Sequence, residues 1–357
     1  MPQPELRVGL AGLGTVSSYH VAAMKGIAGA RLVAGCDVSR PRREYFRNRW
    51  GLTTIYDSLE QMLEREKLDV VHILVPPPAH AAIALECLAS SCHCFIEKPL
   101  STSVADGQIL ADRAAEAGRT IAVNHNLLWM PAFLRLRNLI RENQLGRLKN
   151  VSVFHSLSQP FQSDHWVTGA VTHSIVEAAP HSLSIIIDVL GAVRHCRSRA
   201  CEFVPVAGAE IVSNWQSDLI CEYGAALSFV SVWNAAPSCT VFVIGERATI
   251  RADLLTNTLV HAAPAESSRL RAYDPAISPA REGIALIRHA MKTFAGYGRA
   301  LLGSRTLADP FLQSMRDSLA DFYRALRQGG KPTSDAGAGI EVVKAMQLVI
   351  RGLNSSD

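Results

Sequence analysis

Three groups of residues in this chain have the types and spacing for chemistry. The first is Glu97-Lys98-Pro99, which closes the apolar run Cys94-Phe95-Ile96. Proline has no N–H and a fixed φ, so a strand through Phe95 stops there. Ligands of open α/β sheets bind at the carboxyl ends of the strands. A lysine flanked there by apolar residues can be partly desolvated and recruited for chemistry. The second group is Glu177 and His181, four residues apart. At that spacing two side chains share a helix face, and a carboxylate beside an imidazole raises its proton affinity and fixes its orientation, as a general base requires. The third is Gly12-Leu13-Gly14-Thr15-Val16-Ser17, after the apolar run Arg7–Ala11. Each has a plainer reading: a surface Glu-Lys pair, a surface histidine pair and a structural turn. Their joint occurrence favours chemistry.

The glycine group is the most specific. Gly12 permits a tight turn, Gly14 lets the backbone approach a pyrophosphate, and the helix opening at Thr15 and Val16 offers its N–H groups to that anion. Ser17 is small enough for the third glycine position. A second apolar run, Leu32–Cys36, ends in Asp37, about 20 residues on, where an acid accepts from the ribose hydroxyls of a dinucleotide. Asp37 repels a 2′-phosphate and points to NAD, while Arg40 leaves NADP open by pairing with such a phosphate or stacking on adenine.

With 357 residues, 48% hydrophobic and 19% charged, the chain is long enough for about two globular domains. A net charge of +4 is too small and scattered to indicate a nucleic-acid partner. The eight cysteines form no CxxC framework. Cys92-His93-Cys94 lacks a second ligand pair, so core thiols are expected and no metal. The N-terminus shows no signal-peptide pattern and no apolar run reaches 18 residues, which predicts a cytoplasmic protein with reduced thiols.

Positioning these groups requires two kinds of architecture. Through residue 124, strands at 7–11, 32–36, 70–75, 94–97 and 120–123 alternate with helices at 18–25, 41–50, 59–66, 79–89 and 104–117, which predicts a doubly wound parallel sheet. From residue 125 to 357 the style changes. After a helix at 131–143, alternating runs fall at 151–155, 200–204, 211–215, 219–223, 225–233, 239–244 and 248–252. With one helix over 174–190, these predict an α+β domain with a mainly antiparallel sheet. Helices at 311–327 and 340–353 can pack on either domain.

The glycine turn, His80 and Glu97-Lys98-Pro99 together resemble the Gfo/Idh/MocA oxidoreductase family over nearly the whole chain. Asn126-Leu127-Leu128-Trp129-Met130-Pro131 is similar to that family's Asn-x-x-aromatic-x-Pro segment, and 169–191 to its substrate helix. The resemblance implies an N-terminal Rossmann domain and a C-terminal α+β domain whose sheet is open. It implies cofactor contacts from Gly12, Gly14, Thr15, Val16, Asp37, Arg40, Pro76, His80, Glu97 and Lys98. Substrate contacts are implied from Lys98, Asn126, Trp129, His165, Trp166, Glu177 and His181, with His125, His155 and His173 as polar lining. It implies hydride transfer between NAD and a ring carbon of a sugar, nucleotide sugar or cyclitol. In that reaction His181 takes the hydroxyl proton, Lys98 stabilises the oxygen and Glu177 orients His181.

The chain departs from the family pattern at several of these places. Glu177 replaces an aspartate, Ser184 a second acid, Leu128 an arginine, and Val75-Pro76-Pro77 a Thr-Pro-Asn type turn. These changes bear on the substrate more than on the cofactor. Redox-neutral elimination or epimerisation, action on a lipid-linked sugar, and a non-catalytic nucleotide-sensing role are the competing readings. An open sheet face predicts a homodimer or homotetramer. Finally, 283–305 pairs Arg288, Lys292, Arg299 and Arg305 with apolar residues near helical spacing. Such a stretch suits an anionic membrane surface, or packs against the sheet or a partner subunit.

Overall fold

A computed structural model describes residues 5–157, 165–206, 208–232, 235–262 and 309–354, and within 263–308 only residues 280, 283, 284, 286–288, 290, 291 and 294. The chain divides into two compact units, Met1–Asn126 with Met315–Gln347, and Leu127–Ser314 with Leu348–Asp357.

The first unit is built on six parallel strands: β1 (Leu6–Ala11), β2 (Ala30–Cys36), β3 (Ile55–Tyr56), β4 (Val70–Ile73), β5 (His93–Glu97) and β6 (Ile121–Asn124). Their order is β3-β2-β1-β4-β5-β6. That is the doubly wound Rossmann arrangement, in which the strand order reverses beside β1 and opens a crevice at the carboxyl ends. β4 and β6 are buried along their whole length, the signature of strands covered on both faces. The connecting helices are α1 (Thr15–Met24), α2 (Arg40–Trp50), α3 (Leu59–Arg65), α4 (His80–Ala89) and α5 (Val104–Glu116). Ser58 and Ser103 cap α3 and α5 by accepting from the N–H groups of Gln61 and Asp106. One side of the core gathers Leu10, Leu13, Val21, Phe46 and Leu74.

Two late helices, α8 (Pro310–Gln328) and α9 (Ala336–Asn354), supply the rest of this unit. Their connection lies along the edge strand β6, where Val123 N–H donates to Ser334 O at 2.8 Å and Ala122 bridges Asp335. An edge that would otherwise expose unpaired backbone is thereby covered. Gly339 permits this approach, because a Cβ there would stand 2.8 Å from Val123 Cγ2.

The second unit opens with α6 (Pro131–Arg141) and carries seven strands: β7 (Leu148–Ser156), β8 (Val193–Val206), β9 (Ala209–Cys221), β10 (Gly224–Ser231), β11 (Ser238–Gly245), β12 (Thr249–Asp253) and β13 (Thr258–Ala262). The order is β13-β12-β11-β7-β10-β9-β8. Only the β7–β10 pairing is parallel. The runs expected at 211–215 and 219–223 form one strand, because Gln216-Ser217-Asp218 keeps the alternation of faces between them. The edge strands β3 and β13 escaped sequence reasoning; β3, at two residues, is too brief to show a period. Trp233, at the end of the 225–233 run, lies outside the described residues.

Helix α7 (His173–Leu190) buries Ile175, Ala178, Ala179, Leu183 and Ile186 and packs on β7, β9 and β10. On the opposite sheet face Phe154, Ile220 and Ile244 are exposed. A concavity of about 520 Å³ opens beside Ile220, lined also by Asn150, His195, Arg197 and Leu227. No helix among the described residues is long and apolar enough to cross a membrane. Of the amphipathic stretch 283–305, only the residues named above are described.

Candidate active site

In the first unit the glycine turn joins β1 to α1 at the carboxyl edge of the sheet. Gly12 has φ +96, and a Cβ there would stand 2.8 Å from the backbone of Leu74, so no side chain fits. Gly14 is the N-cap of α1, with no side-chain cap and no acidic residue in the first turn. A Cβ on Gly14 would meet only Arg42 Nη1, at 4.0 Å. An open glycine at an uncapped helix N-terminus fits a pyrophosphate. Ser17 is fully buried in the third glycine position, where its hydroxyl is satisfied by donating to Gly14 O.

Asp37 closes this turn. Its carboxylate accepts from Leu13 N–H and Ser39 N–H, both at 2.8 Å, and each oxygen keeps a further lone pair. Arg40 does not face it. That residue pairs with Glu44 one turn along the exposed surface of α2, and Arg42 instead brings a guanidinium to 4.0 Å from Asp37 Oδ2. Sequence reasoning missed Arg42, because three of the four residues from 40 to 43 are arginines and only helix phase distinguishes them.

At the ends of β4 and β5, His80 sets Nδ1 2.7 Å from Pro99 O and Nε2 2.8 Å from Val75 O. It is fully buried, and burial pushes its pKa down. A neutral ring has one N–H, so His80 donates to one carbonyl at a time and ties the Pro76 turn to the Lys98–Pro99 turn. Both ring nitrogens thus face backbone. Lys98 follows β5, largely buried at 9% exposure, and its peptide bond to Pro99 is cis.

Behind Lys98 lies a chain of buried polar groups that no short motif announces. Asn124 Nδ2 donates to Glu97 Oε1 at 2.6 Å, and His20 Nε2 stands 2.8 Å from the same oxygen. His20 Nδ1 is 3.1 Å from His72 Nδ1, and His72 Nε2 is 2.8 Å from the Tyr323 hydroxyl on α8. Burial would raise the Glu97 carboxyl, but His20, Asn124 and the charge of Lys98 outweigh it and hold its pKa below the usual value. An ionised Glu97 can only accept, so His20 carries its proton on Nε2. A neutral His72 has one N–H to divide between His20 and the Tyr323 hydroxyl. Burial, reinforced by His20, pushes His72 well down and keeps it neutral.

Beyond β6, the buried Asn124 Oδ1 and His125 Nε2 have no hydrogen-bond partner among the described residues. Burial lowers His125 to about 4, so its ring is neutral. Asn126 is buried and opens the single turn that ends at Trp129.

The second unit holds the remaining expected residues. His165 caps the short turn beginning at Trp166, accepting from Val167 N–H at 3.3 Å. His173 opens α7 with Nδ1 2.9 Å from Trp166 O and its ring 5.2 Å from the indole. Glu177 and His181 follow on the same helix, both only partly exposed. The His181 ring meets His155 of β7 edge-to-face at 5.4 Å. His155, His173 and His181 thus approach one sheet-and-helix surface of this unit. Cys92, His93 and Cys94 do not gather: burial lifts the Cys92 thiol to about 12, and the His93 ring accepts from Thr120 N–H.

The fold and this turn define a dinucleotide-binding Rossmann protein. Residues 6–125 match the Gfo/Idh/MocA family, described as an oxidoreductase family with an NAD-binding Rossmann fold. Among curated relatives, the D-apiose dehydrogenase of Paraburkholderia graminis is 28% identical over 137 residues, 38% of this chain and 36% of that protein. The myo-inositol 2-dehydrogenase of Thermotoga maritima is 25% identical over 142 residues, 40% of this chain and 42% of that protein. The chain thus spans about two fifths of the length of these relatives. Similarity of fold extends further. The WlbA dehydrogenase of Bordetella pertussis, solved in complex with NADH and UDP-GlcNAcA, superposes with a TM-score of 0.78 at 18% identity, covering 99% of this chain and 97% of that one.

Proposed function

We propose that the protein is an NAD-dependent oxidoreductase that moves a hydride between nicotinamide and a hydroxyl-bearing ring carbon of a sugar, nucleotide sugar or cyclitol. One observation carries this reading: the uncapped glycine turn of α1 and the largely buried Lys98 stand at the carboxyl edge of one parallel sheet. The sugar and cyclitol substrates named for the relatives support the substrate class. Gly12, Gly14, Thr15 and Val16 would hold the pyrophosphate, and Asp37 the adenosine ribose. Bound NAD supplies the hydride chemistry. Lys98 donates to the substrate oxygen and stabilises its developing negative charge. The ionised Glu97, fixed by its donors, balances that ammonium. His181 takes the hydroxyl proton, and Glu177 orients it.

The test is titration with NAD(H) and NADP(H), followed by hydride-transfer assays on sugars, nucleotide sugars and cyclitols. Lys98→Ala should lower kcat by about 10²–10³ while NADH affinity stays within a few-fold. Joint loss of binding and turnover would make Lys98 structural and refute its role. Product formation without net NADH accumulation would replace this reading with redox-neutral chemistry. Tight binding without turnover on any of these substrates would favour a nucleotide sensor.

A further inference from the structure

Positive charge in the first unit gathers beside the glycine turn. Helix α2 carries Arg40, Arg42, Arg43, Arg47 and Arg49 against one acid, Glu44, an excess as large as the net +4 of the whole chain. Of the five, only Arg40 and Arg42 come within 4.0 Å of a carboxylate among the described residues, Arg40 pairing with Glu44 and Arg42 approaching Asp37. Arg43 donates to the backbone carbonyls of Asp37 and Val38, which leave its charge uncompensated. Arg49 lies over the Trp50 ring at 4.8 Å and Lys25 at 5.2 Å. Trp50 in turn donates to Ser18 Oγ at 3.4 Å, so these two cations stand beside the first turn of α1, the helix that Gly14 caps. Against this set are Asp37, answered by two N–H groups, and the exposed Asp57 after β3.

We propose that the arginine face of α2 is an electrostatic guide that draws the anionic dinucleotide from solution to the glycine turn. Arg43 and Arg47, four residues apart, repel each other on one helix face, and no carboxylate within 4.0 Å offsets that cost. Charge arranged in this way acts at a distance: a cleft bordered by one sign of charge raises the association rate of an opposite ligand by about 10- to 1,000-fold. Arg47 and Arg49 lie one to two turns along α2 from Arg42 and Arg43, so they serve approach rather than the bound contact. Charges at such a rim change association and its salt dependence more than dissociation. The ligand is the anionic cofactor because the patch borders its turn, with Arg42 Nη1 4.0 Å from where a Gly14 Cβ would stand. The guide rests on the cofactor turn alone and is independent of the substrate and the reaction.

The experiment is stopped-flow association of NADH and NADPH with the full chain, read by nicotinamide fluorescence, at salt from about 10 mM to about 0.5 M. Arg47→Gln with Arg49→Gln should slow NADH association about three-fold at the lowest salt, and Arg47→Glu with Arg49→Glu about ten-fold, with dissociation within about two-fold. NADPH carries about twice the negative charge, so the glutamine pair should slow it about ten-fold. All three proteins should converge near 0.5 M salt, where charges are screened beyond a few ångströms. A melting scan establishes that each variant folds, and the neutral glutamine pair carries the test if the reversed pair does not. Unchanged association in the folded variants would overturn the proposal and leave these arginines to the dipole of their own helix. A loss that appears in dissociation, or persists at high salt, would also overturn it, since that marks a direct contact. A wild type that binds neither dinucleotide would overturn it together with the cofactor turn.

Discussion

Replacing Tyr323 by phenylalanine removes one oxygen from the interior and tests the donor chain behind Lys98. Tyr323 is 1% exposed and His72 fully buried, so no bulk water replaces the lost hydroxyl. His72 Nε2 is then left without its partner, at about 1–3 kcal/mol. His72→Leu orphans two groups, the Tyr323 hydroxyl and His20 Nδ1, and should destabilise by roughly twice as much. In the double variant the Tyr323 hydroxyl is gone as well, and only His20 Nδ1 remains unpaired. Adding Tyr323→Phe to His72→Leu should therefore restore about 1–3 kcal/mol, the reverse of its sign in the wild type. Urea unfolding of the four proteins, with NADH binding as a check on the native state, measures this cycle. Additive destabilisation would show that Tyr323 and His72 are not coupled and would refute the hydrogen bond between them.

Acid should unfold the protein early. His72, His80, His93 and His125 all have pKa values pushed down, first by burial. Below the unfolded value near 6.5 the unfolded chain takes up protons that the folded chain refuses, so stability falls as pH drops. His125 alone, at about 4 when folded, accounts for about 3 kcal/mol lost by pH 4. Glu97, also depressed, acts in the same direction as pH falls through its folded value. A denaturant midpoint unchanged between pH 7 and 4.5 would contradict this. At the cofactor turn, Arg42→Ala should weaken NADPH binding about ten-fold and NADH binding little, whereas Arg40→Ala should alter neither in a fluorescence titration. If the open sheet face of the second unit joins copies, Phe154→Glu with Ile220→Glu should convert the dimer or tetramer to a monomer in sedimentation. An unchanged mass would move the interface elsewhere.

Much of the first unit was legible because its determinants are local. Gly12 must adopt positive φ, and Pro99 must end a strand whatever the rest of the chain does. Apolar runs of four to six residues flanked by helical periods already imply parallel strands. Glu177 and His181 share a helix because a spacing of four is a property of the helix itself. The phase of Arg42 against Arg40 was not legible, since it depends on where α2 meets the end of β2. The merging of two runs into β9 was decided by pairing with β8 and β10.

The donor chain shows the division most clearly. Its members, His20, His72, Glu97, Asn124 and Tyr323, are separated by up to 251 residues for a single hydrogen bond. In the sequence all but Glu97 read as isolated polar residues. Only tertiary packing brings α8 against the sheet and joins these buried groups into one hydrogen-bonded chain. Local backbone chemistry thus determined the cofactor turn and the class of fold, and long-range packing decided which buried groups support Lys98.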